Sequence, residues 1–79
     1  MNKAYLTGTI TSIAFLSPTH NELRMTVKSG TANVVIVISD KQTIDFAQHL
    51  TLGEEVAITG RLGSESTVHS LELTTNQEA

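Results

Sequence analysis

Histidine, serine, threonine and the carboxylates are the residues of this sequence that could do catalysis or hold a metal ion. The three histidines, His20, His49 and His69, are far apart, and no H-x₃-H pair or acidic pair gives them the spacing of a metal site. His69 alternates with Leu71 and Leu73, which predicts a partly buried strand residue sharing their face. No serine lies in a G-x-S-x-G turn, and there is no glycine-rich phosphate loop and no cysteine. We therefore expect neither an enzyme nor a metal or cofactor site.

Six other side chains have the chemistry to bind a nucleic acid. Cationic groups hold phosphates, and an exposed aromatic ring stacks on a base. The predicted nucleic-acid-binding residues are Lys3, Tyr5, Arg24, Lys28, Lys41 and Arg61. Eight acidic residues against five basic ones give a net charge of −3, so a scatter of solvated charges is the competing interpretation. For Tyr5 the competing interpretation is packing at a subunit interface.

Alternating apolar and polar residues predict the strands that must position these side chains. The first runs over residues 4–15, with Leu6, Gly8 and Ile10 on one face. The mid-strand glycine indicates a bulge, a sharp bend or a close backbone approach. A turn at 17–21 separates it from a second strand at 23–28 with a polar outer face. Residues 34–38 are apolar on both faces, and residues 56–62 and 68–73 alternate again.

Between the third and fourth strands the period becomes helical. Ser39 or Asp40 can cap a helix of about ten residues, and Gly53 is placed to end it. Phe46 is expected in the core, and Phe15 in the core or anchoring a loop. The order β-β-β-α-β-β is that of the OB-fold, a five-stranded Greek-key barrel in an all-β class with one short helix. A ubiquitin-like roll is the alternative, although its helix normally follows the first hairpin.

Three segments together resemble the bacterial single-stranded DNA-binding protein family, which includes the primosomal replication protein. The opening strand NKAYLTGTI is similar to the family's first strand, which begins with Asn and a basic residue and carries a glycine. Asp40-Lys41 before the helix and the stretch LTLGEEVAITGRL resemble its helix, turn and fourth strand. The similarity extends from Asn2 to about Thr74. It implies an OB-fold that binds single-stranded DNA and pairs through its first strand.

The sequence departs from this family at the positions that the family uses to bind single-stranded DNA. The family stacks bases on aromatic side chains at positions that here fall, within one residue, on Asn33, Ser39 and Thr67. Its long hairpin between the last two strands is reduced to the turn at 63–66, and its basic positions are here Thr51, Leu52, Gly63 and Glu65. Its long, acidic-tipped tail has no counterpart in these residues.

These observations leave two classes of function open. The first is a non-catalytic protein that binds single-stranded DNA or RNA weakly and without sequence specificity, in replication, repair or mobile-element biology. The second is an OB-fold protein-interaction or structural subunit that has lost nucleic-acid binding. We expect one domain over residues 1–75, a polar tail at 76–79, a cytoplasmic location and no membrane association. The uncharged outer face of the first strand also predicts a homodimer or tetramer.

Overall fold

Five strands and one short helix make up the residues that the computed structural model describes, which are 3–15, 21–63 and 67–75. In chain order they are β1 (Lys3–Phe15), β2 (Leu23–Ser29), β3 (Ala32–Ile38), α1 (Lys41–Ala47), β4 (Glu55–Leu62) and β5 (Thr67–Thr75). The predicted order of elements is confirmed. The predicted turn at 17–21, the connection at 63–66 and the tail at 76–79 fall wholly or partly outside the described residues.

The strands close into a barrel in the order β1-β2-β3-β5-β4, with β4 returning to β1. Neighbouring strands are antiparallel, except that β3 and β5 are parallel. β1 is long enough to pair with β4 from Lys3 to Thr9 and with β2 from Thr9 to Phe15. A closed five-stranded barrel with its helix between the third and fourth strands is the predicted OB-fold, so the ubiquitin-like alternative is wrong.

A glycine lies where β1 passes from one neighbouring strand to the other. A Cβ atom on Gly8 would lie 2.5 Å from the carbonyl oxygen of Lys28 and 2.5 Å from Cγ1 of Val27. Any larger residue would push β2 away, because real side chains do not approach backbone oxygen atoms this closely. The close approach that the sequence predicted at this position is confirmed.

The barrel encloses one apolar core. Where the strands are regular, as in β2 and β4, alternate residues point inward, as the period-2 pattern predicts. The most completely buried side chains are Ile10, Leu23, Met25, Val27, Ile36, Ile38, Val56, Ile58 and Val68. Ile44, Ala47 and Leu50 close one end of this core from α1 and the segment that follows it. Val37 is buried as well but lies outside this cluster, on the outer face of β3.

The helix is shorter than predicted and differs in detail. Asp40 is the N-cap, and its carboxylate accepts hydrogen bonds from the backbone N–H and the hydroxyl of Thr43, both at 2.9 Å. These bonds hold the pKa of Asp40 below its ordinary value. The helix ends at Ala47, so Gly53 does not terminate it. Gly53 instead adopts φ +91° in the turn before β4, where its N–H donates to the carbonyl of Ile10 at 2.8 Å.

Phe46 is not a core residue, contrary to the prediction. Its side chain is 41% exposed, while Ile44 and Ala47 are the buried residues of α1. A helix of seven residues has only two turns, and its buried stripe follows the 3.6-residue period through these two positions. Phe46 lies beside that stripe and cannot reach the core without displacing one of them.

The face assigned to β5 is also wrong in part. The sequence placed His69 on one face with Leu73, but the structure buries Val68 and Leu73 and exposes His69. The pairing with β4 shifts between Thr59 and Gly60, so one extra residue of β5 is accommodated there. This β-bulge inverts the alternation along β5, because an inserted residue exchanges the two faces beyond it.

Candidate nucleic-acid interface

The closed sheet brings basic side chains from four strands into one line across the strands. Lys3 of β1 pairs with Arg61 of β4, and Arg61 pairs with His69 of β5. His69 pairs with Val37 of β3, which pairs with Arg24 of β2. We call these five residues the cationic row. At about 4.8 Å between strands, the row covers roughly 19 Å of the barrel surface.

Four of the five residues in the cationic row are exposed. Lys3, Arg61, His69 and Arg24 face the solvent, whereas Val37 is buried between the register positions of His69 and Arg24. Aliphatic stems of long charged side chains pack on such apolar positions while their charged ends stay in water. The row is therefore a band of positive groups with an apolar residue set into it.

The charges in the row are mostly not neutralised within the described part of the chain. Arg24 forms an ion pair with Glu22, with 3.0 Å between Nε and Oε2, and both side chains are partly exposed. Neither Lys3 nor Arg61 makes an ion pair with a described carboxylate, and the two are direct cross-strand partners. Like charges in this arrangement repel, and a bound anion between them relieves the repulsion. The Lys3–Arg61 end of the row is thus the strongest candidate for phosphate contact.

His69 is the member of the row that the sequence analysis missed. Its imidazole lies against Gly63, where a Cβ atom would be 3.1 Å from both Cδ2 and Nε2. A Cβ on Gly60 would likewise clash with the carbonyl oxygen of His69. Two glycines opposite one short strand are a signal of close backbone approach or of a bulge. That signal is present in the sequence and indicates an irregularity beside His69, although it does not say which face the imidazole occupies.

The other predicted binding residues lie at varying distances from the row. Tyr5 is 71% exposed on the same face of β1 as Lys3, two residues further along the strand. Lys28 lies four residues from Arg24, near the far end of β2, in a polar cleft that Thr9 also lines. Lys41 is exposed at the first position of α1, outside the row. The structure thus brings together Lys3, Arg24 and Arg61, with Tyr5 beside them, and leaves Lys28 and Lys41 apart.

No aromatic side chain occupies the three positions where the resembling family stacks bases. Asn33 is exposed on β3 and Ser39 is exposed just beyond that strand, while Thr67 is partly buried and pairs with Val35. These side chains can donate and accept hydrogen bonds, but they offer no ring to a base. At these three positions the surface therefore offers polar groups and no stacking platform.

An apolar groove lies between the second half of β1 and the segment after α1. Its principal lining residues are Ile13, Phe15, Ala47, Leu50 and Leu52, together with the polar Ser12. Leu52 is 63% exposed and Phe15 is 39% exposed. No charged side chain is among the residues that line this groove. Such a surface can contact another protein. Its polar members, Ser12, Gln48 and Thr51, can donate hydrogen bonds to a phosphate but bring no positive charge to it.

Two further features of the described residues bear on function. Nowhere in residues 3–15, 21–63 and 67–75 do three or more histidine, cysteine, aspartate or glutamate side chains group closely enough to hold a metal ion. In the same residues, no helix has the length and apolar character needed to cross a membrane.

Solved structures share the fold of this chain at low sequence identity. A crystal structure of the Stn1–Ten1 complex from S. pombe matches with a TM-score of 0.88 and 15% identity, over 99% of this chain and 60% of that one. The mitochondrial single-stranded DNA-binding protein Rim1 of S. cerevisiae matches with a TM-score of 0.81 and 15% identity, over 98% and 96% of the two chains. A small single-stranded DNA-binding protein from Mycoplasma pneumoniae matches with a TM-score of 0.72 and 17% identity, over 100% and 98%.

These matches confirm the resemblance at the level of the fold. The chain covers nearly the whole of the two single-stranded DNA-binding proteins but only 60% of the matched Stn1–Ten1 chain. A search against protein-family models finds no match, and neither does a search of the curated proteins at a significant level. Since identities below one fifth carry over the fold and not the activity, the function is argued from the surface of this chain.

Proposed function

We propose that this chain is a non-catalytic OB-fold protein that binds single-stranded DNA or RNA across the cationic row. The observation that carries the proposal is the line formed by Lys3, Arg61, His69 and Arg24, which four strands of the closed sheet bring together. A positive groove that follows the phosphates is one of the two features that single-strand binders share. Two fold neighbours whose names give them single-stranded DNA binding support the same conclusion.

We expect the binding to be weak, tolerant of sequence and sensitive to salt. Base–aromatic stacking contributes about 1–3 kcal/mol per base, and the row has only Tyr5 near it to supply such a contact. The net charge of −3 adds a general repulsion that is strongest at low salt. With two to four phosphate contacts, the slope of log affinity against log salt is about −1.5 to −3 for a single strand.

A homodimer through β1 would offset weak binding by a single chain. From Lys3 to Gly8, β1 pairs with β4 along one edge, and its pairing with β2 begins only at Thr9. Within the described residues, the opposite edge of β1 from Lys3 to Gly8 has no strand partner. Thr7, in the middle of this segment, is exposed. Unpaired strand edges add a strand from another chain readily. Two rows held in one dimer, or four in a tetramer, would bind a longer strand by avidity.

A fluorescence-anisotropy titration with a labelled thymidine oligomer tests the proposal. The unmodified chain should bind at low salt, and a triple variant Lys3→Glu, Arg24→Glu and Arg61→Glu should not. The control reverses two charges outside the row, in Lys28→Glu and Lys41→Glu, and should keep much of the affinity. The double variant Lys3→Glu and Arg61→Glu changes the net charge by the same amount and should lose far more. Loss of affinity in proportion to net charge alone, wherever the reversed residue lies, would refute binding at the row.

A second function is favoured by the apolar groove. Leu52 and Phe15 expose apolar surface in this groove, and Phe15 pairs with Leu23 of β2, next to the Arg24 end of the row. Protein interfaces are enriched in aromatic residues such as Phe15. If the chain has lost nucleic-acid binding, it serves as a protein-interaction or structural subunit through this surface. Undetectable binding of the oligomer at low salt would favour this second function. In either case we place the protein in the cytoplasm, with replication, repair or mobile-element biology as the setting for the first.

A further inference from the structure

We propose that His69 is a nucleic-acid-binding residue whose protonation tightens binding as the pH falls. The inference rests on the function proposed above and adds to it a proton-linked contact in the middle of the row. It is carried by the position of the imidazole in the sheet, by the charges around it and by its exposure.

The position of His69 places it between the two ends of the cationic row. It pairs with Arg61 on one side and with Val37 on the other, and its side chain is exposed. The imidazole is seated against Gly63, just beyond the end of β4. A strand of nucleic acid that follows the row from Lys3 to Arg24 passes directly over this ring.

The surroundings of His69 are mainly positive. Among the described residues, the charged groups on the outer face around it are Arg61 on β4, Lys3 and Arg24 at the ends of the row, Glu22 beside Arg24, and Glu72 further along β5. Its partner on β3, Val37, is apolar. Glu22 is already ion-paired with Arg24, and Glu72 lies beyond the β-bulge, in register with Thr59.

These charges couple the proton on His69 to the bound phosphate. Histidine is the side chain that ordinarily changes its charge between about pH 5 and pH 8. A phosphate held between His69 and Arg61 favours the protonated imidazole, because opposite charges attract. By reciprocity, protonation favours the phosphate to the same extent, so binding takes up a proton.

The test compares binding of a labelled thymidine oligomer at about pH 8 and about pH 5.5, at equal ionic strength. For the unmodified chain we expect a threefold to tenfold rise in affinity at the lower pH, of the order that one added charge at contact distance produces. The salt slope should also steepen by about 0.7, the increment for one more phosphate contact on a single strand. His69→Gln should lose both changes. The control, His20→Gln with His49→Gln, removes the other two imidazoles and should keep both.

The outcomes separate this inference from the function on which it rests. If His69→Gln binds the oligomer with an undiminished pH response, the inference is wrong and the proposed function stands. If the unmodified chain binds at neither pH at low salt, the proposed function is wrong and the inference falls with it. Calorimetry of the control variant in two buffers of different ionisation enthalpy gives a check that needs no change at His69. Proton uptake on binding supports the inference, and zero uptake overturns it.

Discussion

The cross-strand pair of Lys3 and Arg61 should lower the free energy of unfolding, although both residues contribute to binding. The two residues are direct partners in the β1–β4 register, and both are exposed and positively charged. Two unit charges about 6 Å apart in water repel by about 0.7 kcal/mol, and salt reduces this further. Removing either charge should therefore stabilise the fold by about 0.5 kcal/mol at low salt, which agrees with the range measured for cross-strand charge pairs.

Three variants test this repulsion: Lys3→Gln, Arg61→Gln and the double variant that carries both substitutions. In a domain of this size, about 0.5 kcal/mol corresponds to a rise in melting temperature of about 2–4 °C, read by circular dichroism at one fixed protein concentration. The double variant should gain little beyond either single variant, because one substitution already removes the repulsion. At the same time, each single variant should lower the magnitude of the salt slope for oligomer binding by about 0.7.

Lys28→Gln is the matched control for this set. Its register partners are Asn33 and Thr9, so the substitution removes the same charge without relieving a like-charge contact. It should give no gain in melting temperature. The reasoning is refuted if Arg61→Gln lowers the melting temperature, or if the gains of the two single variants add fully in the double variant.

Four other variants test single features of the fold and of its assembly. Gly8→Ala should destabilise the barrel severely, as judged by urea unfolding, because its Cβ would lie 2.5 Å from a backbone oxygen of β2. Ser70→Ala should leave stability unchanged or raise it in the same assay, since the buried Ser70 hydroxyl has no hydrogen-bond partner among the described residues. The Thr43 hydrogen bonds lower the pKa of Asp40. The stability that they add is therefore present above about pH 4 and is lost as the pH falls further. Asp40→Asn should abolish this part of the loss of stability in acid, as read from melting temperatures over a series of pH values. Replacing Thr7 and Thr9 with lysine should give a destabilised monomer by light scattering, and a dimer that survives both changes would exclude pairing through β1.

Much of the fold could be predicted from the sequence because it depends on local periodicity. The alternation in residues 4–15 and 56–62 and the helical spacing of Ile44 and Ala47 each indicate one element, and the closed barrel follows from their order. The errors arose where the period is interrupted. The bulge opposite Gly60 adds one residue to β5, so side chains on either side of it point to opposite faces from those expected. A period-2 pattern in the sequence does not reveal such an insertion.

The candidate site was predictable only in its residue types. Lys3, Arg24 and Arg61 stand out as cations on outer strand faces, but their alignment depends on the register of strands that are distant in sequence. A shift of one residue in any pairing would separate them, and no local pattern fixes that register. The exposure of Phe46 has a different cause, since Phe46 lies beside the buried stripe through Ile44 and Ala47 and only that stripe faces the core.

The location of the nucleic-acid contact is tested most directly by NMR on the ¹⁵N-labelled chain as a thymidine oligomer is added. The backbone amides of Lys3, Arg24, Arg61 and His69 are predicted to shift together and in proportion to the fraction bound. Those around Leu52 in the apolar groove should stay in place. Shifts confined to the groove, or no shifts at low salt with the oligomer in excess, would contradict binding across the cationic row.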